Sequence, residues 1–160
     1  MVDMTILAMT EDQVWLESLW SEARRLKRTR LVVTSSMDEA CDLLDCAGAR
    51  LLVLDRGAGT FTYDELDRML WTNSTCAHPA LVLVIDQTYS PEVALDLFRM
   101  GVDEYVCTSL HGNRLAEVVS ELLKEARDGE LEAVPALLAL PRTVPAPLQI
   151  PDRPAVAAMA

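Results

Sequence analysis

RLLVLD (Arg50–Asp55) and ALVLVI (Ala80–Ile85) are two short runs, apolar almost throughout and without alternation. A strand with one face in water alternates apolar and polar side chains. These two do not, so both are predicted as strands buried on both faces, the condition of a parallel sheet covered by helices on each side. Working outward, MTILAM (Met4–Met9) and Leu31–Thr34 read as further apolar strands, and Glu104–Cys107 as a fifth. Helical patterns fill the gaps. Thr10-Glu-Asp-Gln13 reads as a capping box opening a helix to about Lys27, with Trp15, Leu16, Leu19, Trp20, Ala23 and Leu26 on one face. Ser36 caps a helix over Met37–Ala47 that ends at Gly48, and another is predicted over Tyr63–Trp71. Ser90-Pro91 starts a fourth, closed by Gly101, and Asn113–Arg127 forms a fifth, with a stripe of Leu115, Val118, Val119, Leu122, Leu123 and Ala126. Five strands alternating with five helices predict an α/β fold: a doubly wound, five-stranded parallel sheet of flavodoxin-like topology.

The prolines divide the chain. Six of the eight lie between Pro135 and Pro154. Repeated proline removes backbone donors and fixes φ, so neither helix nor sheet is expected to run through that segment. The expected organisation is a domain over 1–128 and a Pro/Ala-rich linker or tail over 129–160. The net charge is −11; from 135 onward the tail carries +1, so residues 1–134 hold −12.

That acidity argues against a nucleic-acid or anionic-membrane partner. No stretch approaches the ~20 apolar residues of a membrane span, and Asp3, Glu11 and Asp12 do not suit a secretory leader. Cys41, Cys46, Cys76 and Cys107 form no CxxC pair, so reduced thiols in a cytoplasmic protein are expected. GxGxxG, GxxxxGK[ST] and GxSxG loops are absent, and His78 and His111 stand in no metal-ligand spacing.

In an open parallel sheet the site lies where the strands end. Those ends supply Thr10, Glu11 and Asp12, then Asp55, then Asp86 and Gln87, then Thr108 and Ser109. Four carboxylates, Glu11, Asp12, Asp55 and Asp86, are therefore expected at one rim, where oxygen ligands would suit a divalent cation. Asp86 reads either as a metal ligand or as a solvated carboxylate, and Cys107 as a packed thiol. The run Arg24-Arg25-Leu26-Lys27-Arg28-Thr29-Arg30 reads either as favourable charge at a helix C-terminus or as a patch for an acidic partner.

The order of elements, the aspartate ending RLLVLD and the phrase DLFRMGVDEYV (Asp96–Val106) resemble the receiver domain of two-component response regulators over roughly residues 4–126. The resemblance implies Asp55 as phosphoacceptor from a histidine kinase and Mg²⁺ held by Glu11 and Asp55; Asp12 and Asp86 enter as metal ligands only through the acidic rim. The resemblance places Asp86, Tyr105 and Thr108 at switch positions. Tyr105 is then either a switching aromatic or a half-buried ring with its hydroxyl in water. Three departures bear on the chemistry. Asp86 stands where the family has Thr or Ser, Thr108-Ser109 replaces Lys-Pro, and Met-Pro after the phosphoacceptor is missing. A phosphoryl group brings nearly two negative charges. Here it would meet a carboxylate instead of a donor, and a neutral hydroxyl instead of a lysine. The expectation is an atypical receiver that is not an enzyme. It acts by docking to a histidine kinase or downstream effector, with phosphorylation of Asp55 weak or lost. A homodimer through the fourth helix, fifth strand and fifth helix is expected as well. The rivals are a conventional phosphorelay receiver and a flavodoxin-like ligand-binding domain.

Overall fold

The computed structural model describes residues 4–57, 61–111 and 114–131. The chain divides into two units, Met1–Ala126 and Arg127–Ala160, and the sheet with its covering helices belongs to the first. The tail expected over 129–160 lies, past Leu131, outside the described residues.

The elements run β1 (Met4–Met9), α1 (Gln13–Arg25), β2 (Thr29–Val33), α2 (Met37–Cys46), β3 (Ala49–Asp55), α3 (Tyr63–Ser74) and β4 (Leu81–Asp86). They continue with α4 (Pro91–Met100), β5 (Glu104–Cys107), α5 (Thr108–His111) and α6 (Leu115–Leu131). All strand pairs are parallel, in the order β2-β1-β3-β4-β5. The chain thus moves outward one way from β1 to β2, then returns past β1 to continue the other way. The crevice between β1 and β3 is where the order reverses.

The unalternating runs are explained by burial on both faces. Leu52 and Leu54 of β3, with Val82 and Val84 of β4, pack with Met37, Leu44, Leu66, Met69 and Leu97 from α2, α3 and α4. Leu51, Val53, Leu83 and Ile85 point the opposite way, onto Trp15 and Leu19 of α1 and Leu115, Val119 and Leu122 of α6. Successive side chains of a strand feed opposite layers, so a doubly covered strand has no position left for a polar residue.

Local chemistry sets the ends. Thr62 and Glu65 form a reciprocal capping box at α3. Ser90 accepts from the Val93 amide with Pro91 in the first turn of α4, and Gly101 closes that helix at φ 112°, in left-handed space open to glycine at little cost.

Several expectations need correction. Thr10 does not cap α1; Asp12 does, its carboxylate accepting from the Val14 amide. Trp20 is exposed rather than part of the core face. The helix expected over Asn113–Arg127 runs from Leu115 to Leu131, and a single helical turn not expected from the sequence, Thr108–His111, precedes it. Among the described residues no helix is long and apolar enough to cross a membrane.

Candidate functional site

The β1–β3 pairing sets Met9 beside Leu54, so the next residues, Thr10 and Asp55, leave the sheet side by side at the reversal point. There the Thr10 hydroxyl donates to Oδ2 of Asp55 at 2.6 Å, with both residues buried. The same hydroxyl accepts from the Asp12 amide at 3.1 Å. Thr10 therefore spends both functions of its side chain on fixing the β1 rim and the Asp55 carboxylate.

One strand over, β3 pairs Asp55 with Ile85, which brings Arg56 level with Asp86. The Arg56 amide donates to the Ile85 carbonyl at 2.8 Å, and its guanidinium reaches Oδ2 of Asp86 at 2.9 Å. Burial pulls the Arg56 guanidinium toward neutrality, but the bond and charge of Asp86, with Tyr63 adding, outweigh it and hold it more firmly protonated than usual. Oδ1 of Asp86 accepts from the Gln87 amide at 2.8 Å. The Tyr105 hydroxyl, from β5, donates to Oδ2 at 3.0 Å and lies 3.3 Å from the Thr88 carbonyl. A buried carboxylate is thereby matched by a cation and two donors, the arrangement such a group requires.

Tyr105 is only 4% exposed, which excludes the half-buried ring with a hydroxyl in water. Burial, then Cys107 and Asp86, push its phenol well above the ordinary value of 10. Its ring lies 5.8 Å from that of Tyr89, tilted by 32°, at the entry to α4. The Cys107 thiol is fully buried and burial pushes its pKa up, in line with a packed, unreactive thiol. Thr108 donates its hydroxyl to the Asp86 carbonyl at 3.1 Å, and the Ser109 amide donates to the Gln87 carbonyl, tying α5 to the β4 rim. Gly57 closes the group. A Cβ there would stand 3.1 Å from Cγ of Gln87 and 3.3 Å from Oδ1 of Asp55.

The expected four-acid cluster is not assembled. Asp12 is turned to the helix it caps, Glu11 faces solvent, and Asp86 is held by Arg56 and Tyr105. Among the described residues no three Asp, Glu, His or Cys side chains stand together as a metal-ligand set. The residues present do not fit a cation held by Glu11, Asp12, Asp55 and Asp86 together. Asp86 is thus neither a metal ligand of that set nor a solvated strand-end carboxylate.

Sequence reasoning does not single out Arg56, although its signal is present. A basic residue one past the β3 aspartate and an acid at the end of the neighbouring strand become partners once the parallel register is applied. The apolar stripe of α6 is turned inward. Leu115, Val119, Leu122 and Leu123 are buried in the domain's own core, so the α6 stripe is spent. The exposed apolar side chains of that region are Leu95 and Phe98 of α4, with Tyr89 before it.

No protein-family model and no curated protein matches the sequence. Solved structures do match by shape. The signal receiver domain of a protein assigned as a LuxO repressor from Vibrio parahaemolyticus aligns at TM-score 0.62 and 17% identity, over 82% of this chain and 97% of that one. A CheY-like protein, TadZ, from Pseudomonas aeruginosa aligns at TM-score 0.57 and 16% identity, over 75% and 99%. A protein assigned to pilus assembly, CpaE2 from Sinorhizobium meliloti, aligns at TM-score 0.54 and 22% identity, over 74% and 98%. The β2-β1-β3-β4-β5 parallel sheet, with Asp55 at the β3 rim beside the reversal of strand order, is the fold of response-regulator receiver (CheY-like) domains.

Proposed function

We propose that this chain is a receiver-type signalling module that works by docking to a protein partner, with phosphorylation at Asp55 weak or lost. The observation that carries the reading is the occupation of Asp86. In the receiver pattern that position offers a hydroxyl to an incoming phosphoryl group. Here it is a carboxylate that already holds Tyr105 inward at 3.0 Å and is neutralised by Arg56 at 2.9 Å. A phosphoryl group on Asp55 would replace a single carboxylate charge with nearly two, one strand away from that carboxylate. The two neighbours that would otherwise help are committed elsewhere: Thr10 to the Asp55 carboxylate itself, and Thr108 to the Asp86 backbone.

The output surface in this reading is α4, reached from Asp86 through Tyr105 and Tyr89. Leu95 and Phe98 present its apolar contacts to a histidine kinase, a downstream effector or a second copy of the chain. Because Tyr105 is held without a phosphoryl group, that surface stands in one state. The ion pair at Asp86 and the buried phenol of Tyr105 support this reading.

Incubation with acetyl phosphate and Mg²⁺, followed by intact-mass measurement, tests the reading. It requires little or no added phosphate. Stoichiometric phosphorylation abolished by Asp55→Asn would establish the conventional phosphorelay receiver instead.

A further inference from the structure

We propose that the cleft at the foot of β4, between the last turns of α3 and α4, is a docking site for a basic segment of a protein partner. An arginine of that segment enters the cleft beside Trp71 and meets Asp103. β4 runs from the cleft to the Asp86 rim, so this site and the Asp55 rim lie at opposite ends of the sheet.

The first observation is the cleft itself. Its volume is about 380 Å³, and Leu70, Pro79, Leu81 and Met100 supply its apolar surface. That gives room for a long side chain and an apolar wall for its stem. Asp103 is the one charged residue of the lining.

The second observation is how Asp103 is held. Its amide donates to the Val82 carbonyl at 2.9 Å, and its Oδ2 accepts from the Val82 amide at 2.8 Å. One residue of β4 thus fixes the carboxylate, while Oδ1 has no partner among the described residues. Burial pushes the carboxyl above its ordinary value, with the Val82 bond opposing. A guanidinium on Oδ1 would oppose that rise as well, because a nearby cation favours the ionised form.

The third is Trp71, at 69% the most exposed aromatic side chain among the described residues. Leu70 precedes it and Ser74 follows one turn later, and both line the cleft, so the helix sets Trp71 at the outer lip. Side chains of a helix lean toward its N-terminus, which carries the indole toward Asp67, one turn earlier. An exposed tryptophan at the lip of an apolar cleft has the composition of an interface anchor. Its face also attracts a cation, and the flat guanidinium of arginine suits both the ring and a carboxylate better than an ammonium does.

Charge selects the partner. Asp67 lies one turn before Trp71 and Asp96 one turn before Met100; both are exposed, and neither is paired with a cation among the described residues. The bases of the region are turned elsewhere: Arg68 acts on Cys41 of α2, and Arg50 donates to the His78 carbonyl at 3.4 Å. A second copy of this chain would bring another strongly acidic body to an acidic site. A basic segment meets the apolar wall, the indole and the free oxygen of Asp103 together.

The test uses the full chain and a short fluorescein-labelled peptide in which two arginines flank one leucine, read by fluorescence anisotropy. Salt of about 0.15 M confines the pull of the acidic body to about 8 Å. Asp103→Asn keeps an acceptor for the Val82 amide and removes the charge, and is expected to weaken binding about tenfold. Trp71→Ala is expected to weaken it about threefold or more. Glu17→Gln, which removes an exposed acid of α1 on the other layer, is expected to bind as the parent does. The same peptide with citrulline for arginine is expected to bind at least about tenfold more weakly. The proposal is overturned if the citrulline peptide binds equally well, or if either Asp103→Asn or Trp71→Ala binds as the parent does. Self-association of the chain in sedimentation that Trp71→Ala abolishes overturns it equally, because a second copy would then be the occupant.

Discussion

The phenol of Tyr105 and the carboxylate of Asp86 are joined by a 3.0 Å hydrogen bond inside the domain, with Arg56 on the same carboxylate oxygen at 2.9 Å. Three strands thereby meet on one oxygen: β3 through Arg56, β4 through Asp86 and β5 through Tyr105. The bond fixes the ring that lies beneath Tyr89 and α4, and it governs most of the behaviour expected of this protein.

Asp86→Ala strips the phenol and the guanidinium of their shared acceptor. Arg56 is partly in water, which softens the loss, so about 2–3 kcal/mol is expected rather than the full cost of a buried unpaired charge. Asp86→Asn keeps an acceptor for Tyr105 and is expected to cost less. Urea denaturation of the two variants, compared at one pH, checks both the size and the order.

The same bond predicts an alkaline loss of stability. The Tyr105 phenol is held above its ordinary value of 10 in the folded protein, first by burial and then by Cys107 and Asp86. A group whose folded pKa is raised gives its full contribution below the unfolded value. That contribution fades as the unfolded phenol ionises and the folded one does not. Urea midpoints are therefore expected to fall above about pH 10, and more steeply for the parent than for Tyr105→Phe. Parallel curves for the two proteins would sever the link.

Asn73 clamps the turn into β4: its amide nitrogen donates to the Ala80 carbonyl at 2.8 Å and its oxygen accepts from the Ala80 amide at 2.9 Å. Both bonds are buried, so Asn73→Ala leaves two backbone groups without partners and is expected to cost about 2–4 kcal/mol. Asn73→Asp keeps the acceptor alone and should fall between. Thermal or urea unfolding reads the series.

Gly57 is held to glycine by space. An alanine Cβ would press on Cγ and the amide of Gln87 at 3.1 and 3.3 Å, and on Oδ1 of Asp55 at 3.3 Å. Gly57→Ala is expected to cost about 1 kcal/mol, with chemical-shift changes centred on Gln87 and Asp55. Changes spread evenly over the sheet would indicate that the rim was not the constraint.

The sheet is legible in the sequence because β3 and β4 are unbrokenly apolar over Leu51–Leu54 and Leu81–Ile85, and the helices because Ser90-Pro91 and Gly101 carry recognisable end signals. The start of α1 is not, because Thr10-Glu-Asp-Gln13 fits a capping box as a string while Thr10 is drawn to Asp55, forty-five positions away. The turn at Thr108 is hidden for a related reason: its hydroxyl bonds the Asp86 backbone on a neighbouring strand. At the site, the acids can be read and their partners cannot. Glu11, Asp12, Asp55 and Asp86 share a rim, but a cap, a threonine hydroxyl and Arg56 divide them. Such cross-strand pairing needs the register, which a string of residues does not display.

The most direct measurement is a two-dimensional NMR spectrum of the chain with and without Mg²⁺ and beryllofluoride, observing the Tyr105 ring and the amides from Asp86 to Gly101. With Tyr105 already held by Asp86, the two spectra are expected to superimpose over that region. Shifts of Tyr105 and α4 that disappear in Asp55→Asn would contradict the account, because they would show a phosphoryl mimic on Asp55 moving a ring that the Asp86 bond holds in place.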